Sequence, residues 1–338
     1  DYYDVLGVSK NANPEDLKSF FELNSIISAA FFTANKLFDL EFTSVKFMGY
    51  HPDVRAWQVT RKGIHIGVFI GDYFARDGKR SGAWCSTLRS QSQSSKVVNP
   101  IVINVCNFAK PPKDEDALLS FDDATTLFHE FGHALHNLLS NVTYERISGT
   151  SVSRDFVELP SQLYEHWLLV PEVLRKFAIN NENEERMSDD LMQKLLDSVA
   201  FGSGFSTIEY LASAIADIEL HSKEGIFTPK MIQAEILDKL DMPEGIVMRH
   251  ALPNFSHIFS GDGYASGYYS YLWSEVMDCD AFEAFTRKKR FFDRNLAKRL
   301  EKFIYGAGGS AEPKKLYELF RGRLPSIDPL LRRRGFIK

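Results

Sequence analysis

Between residues 125 and 140 the chain reads TTLFHEFGHALHNLLS, with His129 and His133 four positions apart and Glu130 directly after the first histidine. On an α-helix residues i and i+4 stand one above the other, so both imidazoles can reach a single metal ion. Glu130 is offset by one residue. That offset makes it a poor third ligand but leaves it beside the open coordination position, where a carboxylate can take a proton from water. Two imidazoles, a carboxylate and an open position suit zinc, although manganese or cobalt accept the same ligands. The chemistry this spacing fits is metal-assisted hydrolysis. A surface helix with a chance histidine pair is the competing explanation, and the bare pattern arises by chance in roughly one chain of this size in a hundred.

A catalytic zinc needs a third protein ligand. His136, Glu145, Asp155, Glu158, Glu165 and His166 are the candidates downstream. His136 lies one turn past His133, but three histidines along one helix give poor tetrahedral geometry, so a packing role is expected. The segment SRDFVELPSQLYEHWLL (153–169) reads as a second helix whose first turn tolerates Pro160. Asp155, Glu158 and Glu165 share one face of it at spacings of three and seven. One acid can be the ligand while others orient the histidines through their free N–H groups. Spacing alone leaves that choice open.

Helical periodicity dominates the rest of the chain. Short β-rich runs are expected as strands at 43–50, 54–60, 64–76 and 100–108, with loops at 86–100 and 109–117. The last of these strands leads into the histidine helix, which Asp122 or Asp123 would cap, and Ser188 with Asp189 and Asp190 opens a later helix. The fold class expected is therefore mainly α with a small β-sheet (α+β). A net charge of -5 over 338 residues leaves no sequence-wide basic field for nucleic acid or an anionic membrane, and small ligands are the expected partners. The basic run at 287–299 reads as a solvated helix face. Cys85, Cys106 and Cys279, odd in number and widely spaced, argue against a disulfide framework. The apolar run SIISAAFF is far too short to span a bilayer, and the opening DYYDVLGVSK lacks signal-peptide character. A cytoplasmic location is the expectation.

Three stretches, FHEFGHALH, ISGTSVSRDFVELPSQLYEHW and FSHIFSGDGYASGYYSYLWSEV, resemble the thimet oligopeptidase and peptidyl-dipeptidase family of zinc peptidases. So do HPDVRAWQV, DGKRSGAW, VINVCNFAKPP and the tail GGSAEPKKLYELFRGRLPSIDPLLRRRG. The likeness runs from about Phe21 to the C-terminus, making 21–338 the expected catalytic domain, and leans toward the bacterial peptidyl-dipeptidase branch. It implies a zincin-like domain with one zinc ion held by His129, His133 and Glu158, and Glu130 polarising the water. It also implies substrate-facing Tyr264, Tyr268 and Tyr271, together with His257. If Tyr268 and Tyr271 sit three apart on a helix, their hydroxyls can converge on a developing oxyanion. The activity implied is hydrolysis of short peptides, with release of C-terminal dipeptides first and internal cleavage of oligopeptides second. Arg80, Arg154 and Arg323 are candidates to capture a substrate's terminal carboxylate. The strand IHIGVFIGDYF or the loop GKRSGAW is expected to add main-chain hydrogen bonds to an extended peptide.

Members of that family carry a long helical region ahead of the FELN segment, forming one wall of a deep channel. About twenty residues precede Phe21 here. The expectation is a catalytic part whose other wall is lost, cut away or supplied by a partner chain. A peptide- or partner-binding remnant without catalysis is the rival reading, against which the intact Glu130 counts. Residues 1–20 resemble the opening of a J-domain, and HPD stands at 51–53. A J-domain places HPD straight after a basic helix, whereas here the preceding segment turns into a strand. The opening is therefore read as a separate segment, a fusion or assembly junction.

Overall fold

The computed structural model describes residues 14–225, 227–243, 247–259, 261, 263–287 and 289–338. Most of the J-domain-like opening lies outside the described residues. After a short helix α1 (Pro14–Lys18), helix α2 (Leu23–Phe38) begins where the Glu22 carboxylate accepts the backbone N–H groups of Asn24 and Ser25, each at 2.8 Å. Leu17 on α1 is buried in the same core as α2.

Strands β1 (Glu41–Val45), β2 (Arg55–Arg61), β3 (Ile64–Phe74), β4 (Trp84–Arg89) and β5 (Ile101–Phe108) form one sheet in the order β1-β2-β3-β5-β4. Only the β3–β5 pairing is parallel among the described strands. Residues 46–50, expected to extend the first strand, lie beyond it. A larger correction concerns 86–100, expected as a loop: its first residues belong to β4, which pairs antiparallel with β5. An edge strand has one unpaired side facing solvent, so Ser86, Thr87 and Arg89 are tolerated there and mask the β pattern. The serine-rich remainder is a loop closed by a Ser92–Val98 bridge.

Helix α3 (Phe121–Leu138) carries the histidines. Its cap is Ser120, two or three residues before the aspartates expected to serve: Ser120 Oγ accepts from Asp123 N–H at 3.0 Å, and Asp123 Oδ2 accepts from Ser120 N–H at 3.1 Å. This reciprocal box satisfies two otherwise orphaned donors and contributes about 1 kcal/mol. One side of α3 packs on β5 and β4, the other on the segment expected as a single second helix. That segment is broken into α4 (Arg154–Val157), α5 (Leu159–Glu165) and a 3₁₀ turn at His166–Leu169. Pro160 lacks an N–H and its ring excludes a helical carbonyl four residues back, so α4 ends at Val157 and Glu158 sits at the break.

Gly132 is the point of closest approach between α3 and α5. A Cβ there would lie 2.6 Å from Ser161 Cα and 2.9 Å from the Pro160 carbonyl oxygen, both backbone atoms that cannot swing aside. Gly132→Ala is expected to push α5 outward and destabilise the chain by about 1–3 kcal/mol, the usual effect of overpacking. Thermal unfolding of the variant checks this, and an unchanged or raised Tm would contradict the packing described.

Beyond α6 (Pro171–Phe177) and α7 (Asp189–Ser198), helices α8 (Ser203–Ser222) and α9 (Pro229–Lys239) build a second, smaller core with Leu252, Phe255 and Tyr268. Ser188 caps α7 by accepting Leu191 N–H at 3.1 Å, as the sequence led us to expect. Helices α10 (Ser256–Phe259), α11 (Ser270–Thr286), α12 (Arg294–Leu300), α13 (Pro313–Arg321) and α14 (Asp328–Arg333) complete the chain. The fold is mainly helical with a small sheet, as expected. No described helix is long and apolar enough to cross a membrane.

Candidate active site

The helical spacing on α3 brings the rings of His129 and His133 to 4.9 Å, centroid to centroid and nearly perpendicular. The break after α4 turns Glu158 toward them, with Oε2 3.2 Å from His129 Nε2 and 3.0 Å from His133 Nε2. A tetrahedral ion with bonds of about 2.0–2.2 Å holds its ligand atoms about 3.3–3.5 Å apart, so this trio fits a metal after small outward shifts. Burial alone would raise the Glu158 carboxyl, but the charge of His133 and hydrogen bonds from both histidines hold it well below the usual carboxylate range. The same contacts raise His129 against the effect of its burial. A cation replacing those protons meets the same negative charge.

Of the other acids left open by spacing, Glu165 takes the second nitrogen of His129: its Oε1 lies 2.7 Å from Nδ1, fixing the ring so that Nε2 faces Glu158. Asp155 is half-buried on α4 and Glu145 is exposed in a separate turn. His136 is fully buried, packed edge-on to Tyr305, and burial pushes its pKa down to about 3, so it stays neutral. His166 bonds Asp278 instead.

Glu130 is 5% exposed and its Oε2 has no hydrogen-bond partner among the described residues. Burial raises its pKa, only partly offset by the neighbouring histidines. It lines a cavity of about 820 Å³ whose walls include His129, His133, Glu158, Tyr264 and Tyr271. Along one side run residues 80–85, the GKRSGAW loop leading into edge strand β4. The alternative expectation, main-chain contacts from IHIGVFIGDYF, does not hold, because β3 is hydrogen-bonded to β2 and β5 on its two sides. Arg80 and Arg154 line the cavity, whereas Arg323 is ion-paired with Asp280. Arg154 lies 4.3 Å over the Tyr264 ring.

The tyrosine-rich block folds differently from the helix expected. Tyr264 Oη donates to Glu158 Oε1 at 2.9 Å and burial pushes its pKa up to about 12. Its ring stacks on Tyr271 at 5.7 Å, and Tyr271 Oη lies 2.9 Å from His257 Nε2, so His257 belongs to the cavity wall. Tyr268 does not line the cavity: it precedes α11 in a turn and packs against Phe255 and Tyr210 in the second core. Ser266, two residues before Tyr268, adopts φ 56°, a left-handed conformation that helical spacing does not anticipate, and the Tyr268 ring still meets Tyr271 edge-on at 5.5 Å.

Asp217 on α8, which sequence reasoning missed, holds this turn. Fully buried, it accepts Ser266 N–H at 2.9 Å through Oδ1 and Tyr268 N–H at 2.8 Å through Oδ2, with His221 Nδ1 2.8 Å from Oδ1. Asp217→Asn turns an amide NH₂ against one of those donors and costs about 1–3 kcal/mol locally. Amide exchange at Ser266 and Tyr268 is expected to accelerate about tenfold or more. Unchanged protection at both amides would show that the turn is held by other contacts.

A profile described as Peptidase family M3 matches residues 1–336. The chain belongs to peptidase family M3. The resemblance drawn from its motifs is thereby borne out. It is 38% identical over 327 residues to the dipeptidyl carboxypeptidase of Escherichia coli (strain K12), covering 94% of this chain and 47% of that protein. To oligopeptidase A of the same strain it is 34% identical over 333 residues, covering 95% and 48%. The chain thus spans about half the length of the curated relatives it matches. Among solved structures, an M32 carboxypeptidase from Deinococcus radiodurans R1 superposes with a TM-score of 0.54 at 15% identity, covering 97% of this chain and 62% of that one. That likeness speaks to the fold.

Proposed function

We propose that residues 21–338 are the catalytic part of a zinc-dependent peptidyl-dipeptidase acting on short peptides, with His129, His133 and Glu158 as the ligands of one zinc ion. The observation that carries this reading is the unpartnered, buried Oε2 of Glu130 beside that trio, inside a cavity of about 820 Å³. A binding protein has no need of such an atom, which costs free energy to bury. Zinc held there would act as a Lewis acid on the scissile carbonyl and lower the pKa of water.

Glu130 accepts the proton of the attacking water on Oε2 and returns it to the leaving amine. Tyr271 donates its hydroxyl to the developing oxyanion. Burial and the Glu158 charge push its pKa far above the phenol range, so the proton needed for donation is held. Glu165 keeps His129 in register. An extended substrate pairs with the open side of β4, the strand that leaves the cavity through Ala83 and Trp84. Arg154 and Arg80 are the cations within reach of a terminal carboxylate. A cytoplasmic site of action accords with the three unpaired cysteines.

Release of dipeptides rather than internal cleavage is favoured by the higher identity to the dipeptidyl carboxypeptidase, 38% against 34% for oligopeptidase A. Cleavage of one short peptide with a free and with an amidated C-terminus, products weighed by mass spectrometry, tests it. Stepwise loss of dipeptides from the free acid alone is expected, and equal internal cleavage of both forms would contradict it. Tyr271→Phe is expected to lower kcat by about 10²–10³-fold with little change in KM, the usual loss for one oxyanion donor. Steady-state kinetics with the same peptide checks it.

A further inference from the structure

Ahead of β4 the loop at 76–83 is fastened at two points. At its base Lys79, with a side chain 5% exposed, donates from Nζ to Asp72 Oδ1 at 3.0 Å, to the Phe74 carbonyl at 2.7 Å and to the Cys106 carbonyl. Arg76 takes both oxygens of the same buried Asp72, at 2.7 and 2.8 Å. Further along, Asn107 donates from Nδ2 to the Arg80 carbonyl at 2.8 Å and to the Gly82 carbonyl at 2.6 Å. Two carbonyls facing one side-chain amide fix its orientation, since only the NH₂ end carries two donors.

Those two bonds decide where the loop's own N–H groups point. No described peptide bond is cis, and in a planar trans peptide the C=O and the following N–H are directed to opposite sides. With the Arg80 and Gly82 carbonyls on Asn107, the N–H groups of Ser81 and Ala83 are aimed away from it. Ser81, Gly82 and Ala83 line the cavity shared by Glu130 and the histidine pair, and Asn107 does not. Both N–H groups therefore face the cavity. No described group accepts from either of them. Gly82 holds the backbone between them at φ 91°, in the left-handed region that favours glycine. A Cβ at Gly82 would meet nothing within 4 Å, so glycine is needed there for the backbone angle and not for space.

We propose that Asn107 is a positioning residue that turns the Ser81 and Ala83 N–H groups into the cavity as a pair of donors for the main-chain carbonyls of a bound peptide. The inference rests on the peptidase reading above and extends its substrate contact from β4 to the loop before that strand. Main-chain donors touch no substrate side chain, so they hold peptides of differing sequence in one register. Because Asn107 and Lys79 fix the loop in the free protein, binding does not have to order it.

Two variants and one spectroscopic titration test this. Asn107→Asp keeps the side-chain shape but sets an acceptor against the Arg80 and Gly82 carbonyls. In the zinc-loaded chain it is expected to raise KM for acetyl-tetraalanine by about tenfold or more with kcat within about threefold, the pattern of lost uniform binding. Zinc affinity is expected to be unchanged, since none of the proposed ligands stands on the loop. Gly82→Ala disturbs the same peptide planes without a clash and is expected to act alike, which keeps the test intact if the first variant fails to fold. Turnover is not needed for the titration. In the zinc-loaded Glu130→Gln chain labelled with ¹⁵N at serine and alanine, the Ser81 and Ala83 amide protons are expected to move downfield as the peptide binds. Absence of binding, binding that leaves both amide protons in place, or an unchanged KM in both folded variants would overturn the proposal. So would a fall in kcat or loss of zinc without a rise in KM, the mark of a merely structural Asn107. Shifted amides in a chain whose wild type cleaves nothing would support the donor pair and contradict the peptidase reading alone.

Discussion

Glutamine at position 130 is expected to leave zinc bound at one equivalent while lowering kcat/KM for a short peptide by about 10³-fold or more. The two halves of that result have separate causes. Glu130 Oε2 has no hydrogen-bond partner among the described residues, so the proposed ligand trio keeps its geometry when the carboxylate becomes an amide. The shape of the site is nearly unchanged, but an amide cannot accept a proton at neutral pH. Steady-state kinetics paired with metal analysis reads both halves. Activity within tenfold of wild type would remove Glu130 from the proton pathway. Loss of zinc along with activity would make it part of the metal site instead.

Glu158→Ala is expected to lower zinc affinity by about 10³-fold or more and with it all turnover, because it removes a proposed direct ligand where an outer hydrogen-bond partner costs only about 10–100-fold. The comparison variant is Glu165→Gln, which loosens His129 but keeps all three ligand atoms and should fall in that smaller range. Glu158 also accepts the Tyr264 hydroxyl and the Ser161 hydroxyl, so its loss frees the tyrosine turn from α5 as well. Competition with a chelator of known zinc affinity ranks the variants. If Glu165→Gln proved the more damaging of the two, the roles given to these acids would be reversed.

The histidine pair was legible because one helix carries both residues and the period of 3.6 fixes their shared face. The third group was not readable from spacing, since Glu158 and Glu165 share a face only on an unbroken helix. Pro160 breaks that helix and sends them to different atoms of His129. Tyr268 misled for a related reason: a three-residue spacing implies convergence on a helix, but α11 begins only at Ser270, so Tyr268 stands in the turn before it and packs in the second core. Strand β4 was hidden by the polar residues an edge strand tolerates. Asp217 left no pattern at all, because its partners are backbone N–H groups about fifty residues away. Family resemblance supplied Glu158, Tyr264, Tyr271 and His257, all of which line the one cavity with Glu130.

Zinc-edge X-ray absorption on the folded chain loaded with one equivalent reads the ligand set without depending on substrate or on turnover. Two imidazole nitrogens and oxygen ligands at about 2.0–2.2 Å are expected, with the imidazole signal falling by half in His133→Ala. A sulfur ligand at about 2.3 Å, or a spectrum unaltered in His133→Ala, would contradict a zinc site built on His129, His133 and Glu158.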